Sequence, residues 1–241
     1  VVVEIANGVK HHLHRALLIQ QSEYFKKAFN GPWKEAQEGI VRLEDVESGP
    51  CTLRSGGTTW GCVLTSVVNT FVDWLYSTKI SHTDLHMHRL LDIGDDDDDS
   101  HDILALKAIV LGERLLMPRF VRAIQFYFVK SYLMPMLGQT REDLSPPFSV
   151  IIYAFNNLTD DNPVLDMLVD LHVRNYKIEA SSQAEASPRA EETLPHEFLI
   201  RVVHAYGQKN TLDWQARQGT PVPCDYHGHT TADERKQCVG R

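Results

Sequence analysis

The period of apolar positions changes several times along the chain, and each change marks an element. Val1–Ile5 is β-branched around a single Glu, Ala6-Asn7-Gly8 reads as a turn, and Val9–Leu13 as a second extended stretch, so the chain opens with a predicted β-hairpin. From His14 the pattern becomes helical, with Leu17 and Leu18 on one short helix and Ser22 placed to cap a second. On that second helix Tyr24 and Ala28, and Phe25 and Phe29, fall four apart and form an inward face, which Gly31-Pro32 ends. Gly39–Leu43 reads as a further strand. Ser48–Ser66 is rich in Gly, Thr and Ser, holds Cys51 and Cys62, and keeps neither period, so a loop insertion is expected. Helical spacing returns with Val68, Phe71, Val72 and Leu75 and stops near Ser77.

Residues 81–102 are polar and rich in His and Asp, and are expected to form an exposed acidic loop. The next helix carries two stripes, Ile103/Leu106/Val110 and Leu104/Ala108/Leu111/Leu115, an apolar surface wide enough to imply burial on more than one side. Met117-Pro118 breaks it, and Phe120, Ile124 and Phe128 mark a helix that folds back. Met134–Leu144 reads as a boundary. Beyond it, three helices are expected to open with Pro at the first helical position: Ser145-Pro146, Asn162-Pro163 and Leu194-Pro195, the last helix ending at Gly207. The helical region is therefore 145–207, interrupted by a Ser/Ala/Glu-rich linker at 178–193, and a polar, turn-rich tail follows over 208–241.

Composition narrows the class. Of 241 residues, 43% are apolar and 23% charged, which excludes wholesale disorder. The formal charge is −8, and Asp95–Asp99 supply five of those negative charges. A protein that neutralises phosphates carries a basic surplus, so direct nucleic-acid binding is not expected. Four scattered cysteines do not make a disulfide scaffold. No apolar run approaches the roughly 18 residues of a membrane span. The N-terminal residues lack the layout of a secretory signal. An intracellular protein, cytoplasmic or nuclear, with reduced thiols is expected. The first residue is Val rather than Met, and further residues upstream are expected.

Three groups of side chains invite a chemical reading. His11, His12 and His14 lie close in sequence, but strand alternation sends His11 to one face and the other two to the opposite one. His82, His86, His88 and Asp84 share no helical face with an apolar stripe and read as a solvated loop. The Asp95–Asp99 run lacks the interleaved ligands and fixed Gly of a calcium loop. Cys224-x-x-His227-x-His229, with Cys238 nine residues further on, is the strongest constellation. Two thiolates and two imidazoles suit tetrahedral zinc, and an ion there would supply order that a tail poor in apolar residues cannot obtain by packing. The spacing matches no common zinc-finger pattern, and in an extended chain alternation would separate His227 from Cys224. Gly-x-Ser-x-Gly, His-Glu-x-x-His and Gly-x-x-x-x-Gly-Lys-Ser/Thr are all absent, so no catalytic residues are assigned and a non-enzymatic protein is expected.

Leu13-His14-Arg15-Ala16-Leu17-Leu18, then Ser22-x-Tyr24-Phe25-x-x-Ala28-Phe29, Lys34-Glu35, Val41-x-Leu43 and Phe71-x-x-Trp74-Leu75-Tyr76-Ser77-Thr78-Lys79-Ile80 occur in that order. Together they resemble a BTB/POZ domain over residues 1–133, in the form common among fungal proteins. The resemblance implies an α+β fold: a hairpin, two short helices and a strand, then three more helices packed on a small sheet, followed by a helical C-terminal extension. His14 stands at that family's characteristic histidine and is expected to be partly buried and bonded to backbone. The tail motif Cys224-Asp225-Tyr226-His227-Gly228-His229 resembles C-terminal extensions of the fungal group. Deleting 48–66 would join Asp45-Val46-Glu47 to Val67-Val68-Asn69 at the family's spacing, so this stretch reads as an insertion or as translated intron sequence.

The function so implied is a protein–protein interaction module. It would pair with a second copy of itself or act as an adaptor for a cullin-type ubiquitin ligase. The alternative is a zinc-binding nuclear regulatory protein that dimerises through the BTB part.

Overall fold

The computed structural model describes residues 1–5, 8–43, 50–52, 58–60, 62–77, 101–133, 145–175, 194–208, 223–229 and 231–239. The chain divides into two units, Val1–Ile124 and Gln125–Arg241.

In the first unit, β1 (Val2–Ile5) pairs antiparallel with β2 (Lys10–His12) and parallel with β3 (Ile40–Leu43), giving the order β2-β1-β3. The register sets Val3 opposite Val41 and Ile5 opposite Leu43. All four are buried, because alternation puts them on one face of the sheet. On the other face Glu4 lies between Lys10 at 3.9 Å and Arg42 at 3.4 Å. Between β2 and β3 run α1 (Arg15–Gln21), α2 (Glu23–Asn30) and the single turn α3 (Lys34–Glu38). Gly39, at φ 67°, ends α3 in the left-handed conformation and turns the chain into β3, its carbonyl accepting from the Val2 N–H at 2.8 Å.

The core of this unit is aromatic. Phe25 and Phe29 of α2 are buried, as are Phe71, Trp74 and Leu75 of α4 (Cys62–Ser77). Tyr24 and Ala28 are only half-buried, so the inward face of α2 is narrower than its spacing implies. The Phe120 ring lies 5.8 Å from Phe71 and 5.2 Å from Trp74, and each such side chain contributes about 1.5–3 kcal/mol on burial. α4 packs on α1 and on α5 (His101–Arg114). Ile103, Leu104, Leu106, Ala108, Ile109 and Leu111 of α5 are all buried and Val110 is half-buried, so residues of both stripes are withdrawn from water, as a wide apolar surface implies. The chain reverses at Leu116 and Met117 into α6 (Pro118–Leu133), within which the division between the two units falls. At Gly112 a Cβ would meet Val121 Cγ2 at 2.7 Å and Phe120 Cδ1 at 2.8 Å, so the close approach of α5 to α6 requires the missing side chain.

The second unit contains α7 (Phe148–Asn157), α8 (Pro163–Asn175) and α9 (His196–Gln208). Phe148, Ile151, Val169, Val173, Phe198 and Val202 form its shared core. Arg201 of α9 donates to Glu197 at 2.9 Å, to Asp166 at 3.1 Å and to the Asp160 carbonyl at 2.9 Å, and lies over the Phe155 ring. The molecule is thus α+β, a small sheet packed with helices and a helical C-terminal region. No described helix is long and apolar enough to cross a membrane.

Several elements depart from their sequence expectation. Within 48–66, the strands β4 (Pro50–Thr52) and β5 (Thr58–Trp60) pair antiparallel, and α4 already begins at Cys62. Three-residue strands are too short to display a period, although Thr and Trp favour extended backbone. Of the three proline-led helices only α8 carries Pro at its first position. Pro147 and Pro195 precede α7 and α9 by one residue, where a proline carbonyl still accepts the first helical bond. In the tail, a 3₁₀ turn (Pro223–Asp225) and α10 (Ala232–Val239) replace the expected irregular chain. α10 is rich in helix-favouring Glu, Arg, Lys and Gln but has no apolar stripe to announce it. The boundary at 134–144, the linker at 178–193 and the acidic segment up to Ser100 lie outside the described residues.

Candidate functional site

Two regions carry chemistry or recognition. The first is the tail of the second unit. Pro223–Asp225 forms a single 3₁₀ turn, in which residues three apart share a side. Cys224 lies in this turn and His227 two residues beyond it, and their ligand atoms lie within 4.8 Å of each other, not split as in an extended chain. Both are more than nine-tenths buried, with 6% and 7% exposure. Tyr226 fastens the turn to α8, its hydroxyl donating to Asp170 Oδ2 at 2.6 Å. The His227 ring packs edge-on against Phe126 at 5.1 Å. His227 Nδ1 lies 2.7 Å from the Pro223 carbonyl. A carbonyl can only accept, so Nδ1 carries the proton and Nε2 keeps its lone pair. The His229 ring sits 4.5 Å from that of His227, and its Nε2 is buried with no hydrogen-bond partner. One ligand atom from each of Cys224, His227 and His229 lies within 4.8 Å of the other two. Cys238, the fourth member of the expected set, is carried by the backbone of α10, which packs against the 3₁₀ turn.

Sequence reading named the Cys and His residues but assigned nothing to Tyr226, Asp170 or the Pro223 carbonyl, which orient them. The signal available was Tyr226, one of two aromatics, with Trp214, in an otherwise polar tail; its partner on α8 is 56 residues away and has no sequence mark.

Among the described residues, the histidines of the first unit stand apart from any such cluster. His14 is exposed, not partly buried, and its partner is the Tyr76 hydroxyl, 2.8 Å from Nδ1 and 3.2 Å from its backbone N–H, where backbone was expected. This pair joins the start of α1 to the end of α4. His11 is half-buried, and burial lowers its pKa from the ordinary 6.5. His82, His86, His88, Asp84 and Asp95–Asp99 lie outside the described residues.

The second region is the hairpin–helix–helix–strand assembly of the first unit, built from β2-β1-β3 and the capped α1–α2 pair. A small mixed sheet with its helices clustered around an aromatic core defines an α+β domain. The family model for the BTB/POZ domain matches residues 1–50, and the chain is BTB/POZ domain-containing. That match spans β1 to the first residue of β4. No curated protein matches the chain. BTB domains are protein–protein interaction modules, generally non-enzymatic, and their interactions include dimerisation.

Proposed function

We propose that this chain is a non-enzymatic interaction module that pairs with a second copy of itself through its BTB/POZ unit. The observation that carries the reading is the match of residues 1–50 to the BTB/POZ family on a segment that folds as one compact hairpin, helix pair and strand. Trp33, at 59% exposure between α2 and α3, adds support, since large aromatics left outside the core are enriched at interface centres. The mechanism would be burial of complementary surface, about 800 Å² on each partner for a standard interface. Light scattering of the full chain over a range of concentrations tests this, with twice the chain mass expected. A monomer at every concentration that binds a purified cullin N-terminal domain would replace self-association with the ligase-adaptor role. A monomer that does neither would overturn both.

The second reading, a nuclear regulatory protein that uses zinc, draws on the Cys/His cluster of the second unit. Its separate test is location: a tagged chain excluded from the nucleus removes it.

A further inference from the structure

We propose that Cys224, His227 and His229, completed by Cys238, hold a structural zinc ion that ties α10 to the 3₁₀ turn of the second unit. Four observations converge on it. First, one ligand atom from each of Cys224, His227 and His229 lies within 4.8 Å of the other two, and Cys224 and His227 are withdrawn from water in an otherwise polar tail. Second, the bond from His227 Nδ1 to the Pro223 carbonyl presents a basic Nε2, the arrangement in which ligand histidines are held by their second nitrogen. Third, His229 Nε2 is buried without a partner within the same cluster, a cost that a metal–nitrogen bond would remove. Fourth, α10, which carries Cys238, packs against the 3₁₀ turn that carries Cys224, and its eight residues are too few for a helix to hold itself by propensity alone.

The donor set selects the ion. Thiolate and imidazole nitrogen suit zinc, while calcium and magnesium require oxygen ligands, and this trio has none. Zinc–sulfur and zinc–nitrogen bonds of about 2.3 and 2.0 Å bring tetrahedral ligands roughly 3.5 Å apart. The present 4.8 Å is wider than a bound ion requires, and binding would draw the three ligand atoms together. Cys224 and Cys238 each give up a thiol proton to solvent on binding, and a metal–sulfur bond replaces each S–H bond. This site is independent of self-association, because chain mass and metal content are separate measurements and either can fail alone.

The test uses the full chain. Elemental analysis after desalting is expected to give one zinc per chain. The chelator-stripped, reduced chain titrated with cobalt(II) alone should develop the visible bands of tetrahedral cobalt and a thiolate-to-cobalt charge-transfer band. Cys224→Ser and Cys238→Ser should each halve that charge-transfer intensity, His229→Asn should reduce bound metal to background, and Cys51→Ser should change nothing. Should a variant fail to fold, the spectrum of the unaltered chain decides alone. Background metal and no charge-transfer band in that chain would overturn the site, as would full intensity in Cys224→Ser or Cys238→Ser.

Discussion

Ser22 is the most demanding single position in the first unit. It is 2% exposed, and its hydroxyl serves two backbone groups that belong to different parts of the core. Oγ accepts from the Phe25 N–H at 3.1 Å, capping α2, and donates to the Leu115 carbonyl at 2.5 Å, beyond the end of α5. Ser22→Ala removes the cap, worth about 1 kcal/mol, typical of a helix N-cap. It also leaves the Leu115 carbonyl short of a buried donor, for about 1–2 kcal/mol more. The sum, about 2–3 kcal/mol, corresponds to a rise of roughly 30- to 150-fold in the opening of α2. Hydrogen exchange of the α2 amides, read by mass spectrometry, measures that opening in the first unit without requiring the whole chain to unfold in one step. Ser22→Asp separates the two roles. An aspartate caps a helix as well as serine does, but an ionised carboxylate cannot donate to Leu115. If capping alone mattered, Asp would restore protection. If both bonds matter, Asp is at least as harmful as Ala. Full protection in Ser22→Asp, or less than about a threefold change in Ser22→Ala, would refute this account.

Gly112→Ala forces a methyl against Val121 and Phe120, and should destabilise the first unit by about 1–3 kcal/mol, measured by denaturant midpoint. Leu116, exposed and held at φ 51°, is strained for a branched side chain, so Leu116→Gly should raise that midpoint by about 0.5–1 kcal/mol; a fall would show that the Leu116 side chain packs usefully. Burial keeps the His11 imidazole more easily deprotonated than in the unfolded chain, where its value is 6.5. The unfolded state therefore binds the proton more readily, and the contribution of His11 to stability is complete above pH 6.5 and declines as the pH falls through the lowered folded-state value. His11→Gln should flatten that decline below pH 6.5, and parallel stability–pH curves for the two proteins would contradict it.

Much of the first unit was legible because its elements are local. The Ser22 cap, the Gly31-Pro32 stop and the break at Met117-Pro118 each act over a few residues, and each element begins or ends close to the residue that signals it. The stripes of α5 announced burial on more than one side because side-chain period and helical period coincide. Legibility failed where the stabilising partner was distant or the element too short to show a period. Nothing near His14 identifies Tyr76, and nothing near Ser22 identifies Leu115, 93 residues away. The β4–β5 pair and α10 carry no periodic signal, the first from brevity and the second from polarity.

The candidate site shows the same division. Sequence alone determined which atoms are available in the tail: two thiols and two imidazoles at spacings short enough for one ion. Whether Cys224 and His227 face the same way depends on backbone conformation, and an extended chain and a 3₁₀ turn give opposite answers for the same residues. The tertiary structure decided it, through the Pro223 carbonyl that fixes the His227 tautomer and the Asp170 carboxylate that anchors Tyr226. Residue type is a property of each position, whereas convergence of ligand atoms depends on contacts between positions, and only the folded chain supplies those.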